Sequence, residues 1–204
     1  MSVRVLGGQF KGSVLAVPDS ARPTLIRSRQ SLFDILASRA GAISETRTNP
    51  SANPKDFFKD KIVLDCFAGS GALGIESLSR GAFFSYFIDA SPNAISAIHE
   101  NIKKLNLEKR CRIIKTDILK IRKFNGIKLC DIVFIDPPYG KVSIKKTLNR
   151  LLKIGWINAN SLIVTEEDIS KTENLSDITV TLVEKKLGKS IFRIIKTRQR
   201  LYPR

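Results

Sequence analysis

The chain has 204 residues, 43% of them hydrophobic, enough for one domain with a sizeable core and a small appendage. No apolar run approaches the roughly 18 residues of a membrane span, and Arg, Lys and Pro run through the N-terminal stretch where a leader would be apolar, so a cytoplasmic protein without a membrane partner is expected. The formal net charge of +16 points to a polyanionic partner.

That charge is unevenly distributed. Lys185, Lys186, Lys189, Arg193, Lys196, Arg198, Arg200 and Arg204 follow one another with no acid among them. Near the N-terminus, Arg4, Lys11, Arg22, Arg27, Arg29 and Arg39 outnumber Asp19 and Asp34. Cys66, Cys111 and Cys130 form no C-x-x-C, and the single His99 cannot complete a metal set, so no metal is expected and the thiols read as small buried hydrophobes.

In chain order, Val3 to Leu6 and Ser13 to Val17 read as short strands around Gly7-Gly8, with Lys11-Gly12 as the hairpin tip and Pro18 as a stop. Thr24 is placed to cap a helix to about Ser38, whose Leu25, Leu32, Phe33, Ile35 and Leu36 make an apolar face. A polar stretch rich in Ser, Thr, Asn and Pro follows as a linker. From there strands and helices alternate: strand Ile62 to Cys66, helix Ala72 to Arg80, strand Phe83 to Ile88, helix Pro92 to Leu105, strand Arg112 to Lys115, short helix Ile118 to Lys123. Strand Ile132 to Ile135, helix Ile144 to Ile154 and strand Ser161 to Thr165 continue the pattern, and Ile178 to Leu187 with Ser190 to Thr197 close it as a hairpin. Short apolar strands alternating with helices imply an α/β fold with a parallel sheet covered on both faces. The division expected is an N-terminal hairpin and helix extension over 1–40, a linker over 41–60 and the main domain over 61–204.

The stretch Ile62 to Glu76 carries Gly69, Gly71 and Gly74 between a strand and a helix, with an acid about twenty residues later. Such a loop lets backbone approach a ligand closely. Asp65 ends the strand just before it, and a carboxylate there would repel a pyrophosphate at the helix N-terminus. It suits a ligand with an amino group, which favours S-adenosylmethionine over a dinucleotide. Asp89, Asp117 and Asp136 end the next three strands, at the sheet edge where α/β proteins bind ligands. Asp89 is placed for the ribose hydroxyls and Asp117 for the adenine edge.

The stretches LDCFAGSGALGIESLSRGA, FIDAS and DPPYG resemble motifs of Rossmann-like class I methyltransferases acting on exocyclic amines. With RVLGGQFKGSVLAVP, RPT and SLFDIL, the whole chain resembles the bacterial RsmD family, which methylates N2 of a guanine in 16S ribosomal RNA. It departs from the family at Leu25-Ile26, where Ser-Asp is usual, and at Gln30, where Glu is common. The resemblance implies a seven-stranded, mostly parallel sheet with a C-terminal antiparallel hairpin. It implies S-adenosylmethionine held by Asp65, Ala68, Gly69, Ser70, Gly71, Asp89, Ala90, Asp117 and Ile118, and catalysis at Asp136, Pro137, Pro138 and Tyr139. The implied partner is 16S ribosomal RNA or an assembling small subunit, met as a monomer.

A ring-conjugated amine is a poor nucleophile, and the Asp136-Pro137-Pro138-Tyr139 segment suits its activation. The Asp136 carboxylate and the Pro137 carbonyl can accept its two hydrogens, the prolines stiffen the backbone, and Tyr139 offers a stacking ring. The same motif serves adenine-N6 methyltransferases of DNA or RNA, and an idle RNA-binding assembly factor could keep the fold. Phe33 is open to two readings, cofactor cover or ordinary core, while His99 reads as surface and Trp156 as packing.

Overall fold

The computed structural model describes residues 3–18, 26–38, 56–126, 128–138 and 142–198. The predicted cap Thr24 and the linker up to residue 55 lie outside them. Strands β1 (Val3–Arg4) and β2 (Val14–Leu15) pair antiparallel, with Val3 opposite Leu15. Helix α1 (Ile26–Ser38) follows. The main unit comprises β3 (Ile62–Asp65), α2 (Ala72–Ser79), β4 (Phe84–Asp89), α3 (Pro92–Lys104), β5 (Cys111–Lys115), β6 (Ile132–Ile135), α4 (Ile144–Lys153), β7 (Leu162–Asp168), β8 (Thr179–Leu187) and β9 (Ser190–Thr197).

The seven sheet strands lie in the order β5-β4-β3-β6-β7-β9-β8. The first five are mutually parallel, and β9 enters antiparallel between β7 and β8. The expected α/β sheet with its closing hairpin is therefore present. Side chains alternate across it. Val63, Ile132 and Phe134 face the layer of α1, α2 and α3, while Leu64, Val133 and Ile135 face the layer of α4. Helix starts follow their caps: Ser91 precedes Pro92 and accepts from Ala94 N–H, and the Ser143 hydroxyl accepts from Lys146 N–H at 3.1 Å.

The N-terminal extension is part of this core. Arg29, Leu32, Phe33 and Leu36 lie at helical spacing on one face of α1, all buried. The Phe33 ring meets Phe134 at 6.0 Å and Phe58 at 5.4 Å, and the Arg80 guanidinium lies 4.9 Å over it. Of the two readings of Phe33, the structure supports core. Phe58, inside the stretch read as linker, is buried. Its aromatic neighbours draw the last residues of that stretch into the fold.

The N-terminal hairpin lies against α2 and α3. Leu6 N–H donates to Glu76 Oε2 at 2.6 Å, and Phe10 N–H donates to Ser79 Oγ at 2.9 Å. A Cβ on Gly8, at φ +75, would overlap the Ser79 carbonyl oxygen, so this turn needs glycine for the approach as well as the angle. Trp156 packs with Tyr86 and Phe124, its Nε1–H donating to the Arg122 carbonyl at 3.0 Å, and His99 is exposed.

Some details differ from the sequence reading. β7 runs three residues past Thr165 because Glu166, Glu167 and Asp168 remain paired to β9. The helix expected over Ile118 to Lys123 is only a single 3-10 turn, Ile118–Lys120, capped by Asp117. Cys111 is part-buried rather than buried, unlike Cys66 and Cys130.

Candidate active site

β3 delivers Asp65 into the interior, where it is 2% exposed and its Oδ2 accepts the Gly74 N–H at 3.1 Å. The carboxylate thus ties the strand end to the first turn of α2. Burial pushes its pKa up to about 7; the Gly74 hydrogen bond opposes this and the nearby Asp89 charge adds to it. The intervening turn is tight: Gly71 N–H donates to the Ala68 carbonyl at 2.6 Å, and Ala68 N–H to the Ile88 carbonyl at 3.0 Å. Gly69 and Gly71 have positive φ. Gly69 faces open space where a Cβ would point, which leaves its backbone free to touch a ligand. Gly74 has a different task, since a Cβ there would run into the Phe87 ring and the Ser85 hydroxyl. It allows α2 to lie close on β4.

Asp89, the last residue of β4, accepts the Gly69 N–H on Oδ2 at 2.9 Å and the Ser91 N–H on Oδ1 at 2.8 Å. Each oxygen keeps a second acceptor site. Ala90 beside it is exposed, and Ser70 is buried, its carbonyl accepting from Asn101 Nδ2 at 2.9 Å. Asp117 lies two residues beyond β5 and accepts the Leu119 N–H at 2.9 Å, followed by buried Ile118. All of these stand along one edge of the sheet, the C-terminal ends of β3, β4 and β5.

Asp136 extends β6, the strand on the other side of β3, and is part-exposed. Pro137 is buried and Pro138 exposed, while Tyr139 lies outside the described residues. A small, mostly apolar pocket lies beside Asp136, walled by Arg29 and Leu32 of α1, Leu73 of α2 and Phe134, Thr165 and Glu166 of the sheet.

Some of these residues were not singled out in the sequence. Glu166 lies past the predicted end of β7. Asn101 is wholly buried on α3 and joins the glycine turn to the N-terminal extension. A polar residue three positions after Ile98 on an apolar helix face was its available signal. Arg193 also takes a different place from that expected. Its Nη1 lies 2.6 Å from Glu167 Oε1 and its Nε 2.9 Å from Glu184 Oε2, so this cation is neutralised within the sheet rather than presented to solvent.

The donor chemistry fits a cofactor of the S-adenosylmethionine type. Carboxylates stand at successive strand ends around a glycine whose missing side chain leaves open space. Acceptors so placed suit amino and hydroxyl groups and disfavour phosphate. Among the described residues no His, Cys, Asp or Glu group is suited to a metal, and no helix is long and apolar enough to cross a membrane.

Sheet order, glycine turn and strand-end acids together define a Rossmann-like methyltransferase. The chain belongs to the family described as Conserved hypothetical protein 95, whose model matches residues 3–196, and the RsmD resemblance holds. Ribosomal RNA small subunit methyltransferase D of Buchnera aphidicola from Acyrthosiphon pisum is 34% identical to it, over 93% of this chain and 90% of that one. The protein of the same name in Escherichia coli K12 is 32% identical, over 82% of this chain and 75% of its own. The solved structure of Escherichia coli yhhF, assigned as a methyltransferase, superposes with a TM-score of 0.77 at 28% identity, covering 98% of this chain and all of that one.

Proposed function

We propose that this enzyme transfers a methyl group from S-adenosylmethionine to the exocyclic N2 amine of a guanine in small-subunit ribosomal RNA. The observation that carries the reading is the place of Asp136. It extends the strand next to β3, whose end leads into the glycine turn, and it borders a small pocket between α1, α2 and the sheet.

S-adenosylmethionine, when bound, supplies an electrophilic methyl group activated by sulfonium. Asp65 would hold the amino group, the turn Ala68-Gly69-Ser70-Gly71 would present backbone to it, Asp89 and Ala90 would meet the ribose, and Asp117 and Ile118 the adenine. On the other side, Asp136 and the Pro137 carbonyl would accept the two amine hydrogens and draw the nitrogen lone pair out of conjugation. Buried Pro137 limits how far that carbonyl can move. Tyr139 would stack on the base, which must be unpaired or flipped out. Rate then comes largely from aligning the amine with the methyl group. The enzyme would act in the cytoplasm, on free 16S RNA or on the subunit during assembly.

The test is labelled-methyl transfer to small-subunit RNA from cells lacking the enzyme, followed by nucleoside analysis and mapping. One labelled N2-methylguanine is expected. Label in N6-methyladenine, or none in RNA, would overturn the reading.

A further inference from the structure

We infer that Glu173 is a positioning residue for methyl transfer, pinning the far end of the loop that begins at Asp136 and leads into α4. The inference rests on the reading of Asp136 and Pro137 as the groups that hold the amine, and it names the residue that keeps them in place.

The start of α4 is held from outside the helix. Glu173 follows β7, 30 positions along the chain from Ser143. Its Oε1 accepts the Ile144 N–H at 2.7 Å, and its Oε2 accepts the Ser143 hydroxyl at 2.8 Å and the Lys145 N–H at 3.2 Å. Ser143 itself already caps α4 by accepting from the Lys146 N–H. A carboxylate at a helix N-terminus also gains from the helix dipole. The local cap suffices to start the helix. What the distant one adds is a fixed place for that start relative to the sheet.

Glu173 is in turn anchored. Its N–H donates to Glu167 Oε2 at 2.7 Å, and Arg193 Nη1 of β9 lies 2.6 Å from Glu167 Oε1. Glu167 is 5% exposed, and a buried acid is costly unless donors meet it, as these two do. One chain of polar contacts therefore runs from β9 through β7 and Glu173 to the first turn of α4. It passes beneath the motif. Ile135 of β6 lies opposite Thr165 of β7, and two residues further along these parallel strands come Pro137 and Glu167. Pro137 and Val142, on either side of the rest of the loop, line one small pocket together with Ile144, Glu167 and Glu173. β6 fixes where the loop leaves the sheet, and Glu173 fixes where it ends. Misplacing reacting groups by about 1 Å can cost about 100-fold in rate. Glu173 meets neither base nor cofactor in this scheme; it acts through the backbone between Asp136 and Ser143.

The experiment uses the full chain and small-subunit RNA from cells lacking the enzyme, and reads kcat, cofactor and RNA affinities, and melting temperature. Well below its melting point, Glu173→Ala should lose about 10- to 100-fold in kcat with both affinities unchanged. Glu173→Gln keeps an acceptor for the Ile144 N–H and should recover part of that loss. Added to Asp136→Ala, the Glu173→Ala substitution should cost about 3-fold or less, because groups that act as a unit are not additive. A lowered melting temperature with unchanged kcat overturns the proposal and leaves Glu173 a helix cap. A loss in the Asp136→Ala background as large as in wild type overturns it too. Should Glu173→Ala fail to fold, Glu173→Gln carries the same comparisons. Near-normal turnover by Asp136→Ala alone removes the reading of the motif, and this proposal with it, whatever Glu173→Ala does.

Discussion

The side-chain amide of Asn101 is hydrogen-bonded to Ala16 on both sides of its backbone. Ala16 N–H donates to Oδ1 at 2.7 Å, and Nδ2 donates to the Ala16 carbonyl at 2.9 Å. The same Nδ2 also reaches the Ser70 carbonyl in the glycine turn at 2.9 Å. One wholly buried side chain therefore joins the N-terminal extension, α3 and the cofactor turn.

Asn101→Ala leaves an amide and two carbonyls without this partner. We expect a loss of about 2–4 kcal/mol in stability, read by urea denaturation, together with weaker S-adenosylmethionine binding by calorimetry. A variant as stable as wild type would show that the three bonds contribute little.

Asp136→Ala should bind S-adenosylmethionine with near wild-type affinity and lose about 100- to 1000-fold in kcat, the range seen when one group aimed at developing charge is removed. Calorimetry and labelled-methyl transfer on the same preparation separate the two effects. Near-normal turnover would remove Asp136 from the chemistry.

Asp65 gives a pH dependence with a defined sign. Its folded pKa of about 7 lies above the value of about 3.9 for an unfolded Asp. Between those values the folded protein holds a proton that the unfolded chain does not. Its contribution to stability is full below about pH 4 and is lost as pH rises to about 7. Binding a ligand amino group favours the ionised carboxylate, so S-adenosylmethionine affinity should rise up to pH 7 and then level off. Asp65→Asn should flatten that slope and make the ligand-free protein more stable than wild type at pH 8. Calorimetric affinities at three pH values and a melting comparison check both statements.

The basic C-terminal region divides into two kinds of cation. Arg193→Ala should lower the melting temperature, because Glu167 and Glu184 lose their partner, and leave the salt dependence of RNA binding unchanged. Lys185, Lys186 and Lys189 are exposed, and Lys185 donates to the Ser31 hydroxyl at 2.9 Å. Replacing all three with Gln should reduce the slope of log affinity against log salt by about 2–3. An unchanged slope would mean that phosphates are held elsewhere.

Much of the architecture could be read from short-range pattern. Ile132 to Ile135 is a strand in both readings because an all-apolar run of that length, bounded by Asp131 and Asp136, has few other options. The β8–β9 hairpin was visible at Gly188, whose φ of +62 suits a tight turn. The acids at strand ends were visible too, since the glycine turn announces which sheet edge is open. Tertiary pairing was the hidden part. Nothing local keeps three acids, Glu166 to Asp168, in a strand; β9 and Arg193 do that from across the sheet. Likewise, Gly7-Gly8 looks like an ordinary turn until the Ser79 carbonyl beneath it is seen. Arg193 could be counted as a surface charge only so long as Glu167 and Glu184 were not known to flank it.

The docking of the N-terminal hairpin on α2 and α3 also orders the events of biosynthesis. Ala16 leaves the ribosome 85 positions ahead of Asn101, and Val14 leaves 90 ahead of Lys104, whose ammonium donates to its carbonyl at 2.8 Å. Contacts so distant along the chain form slowly, since a long loop must close first. Ala16 and Val14 must therefore wait for these neighbours until α3 has been translated. The glycine turn, anchored through Asn101, reaches its final form only when that wait ends.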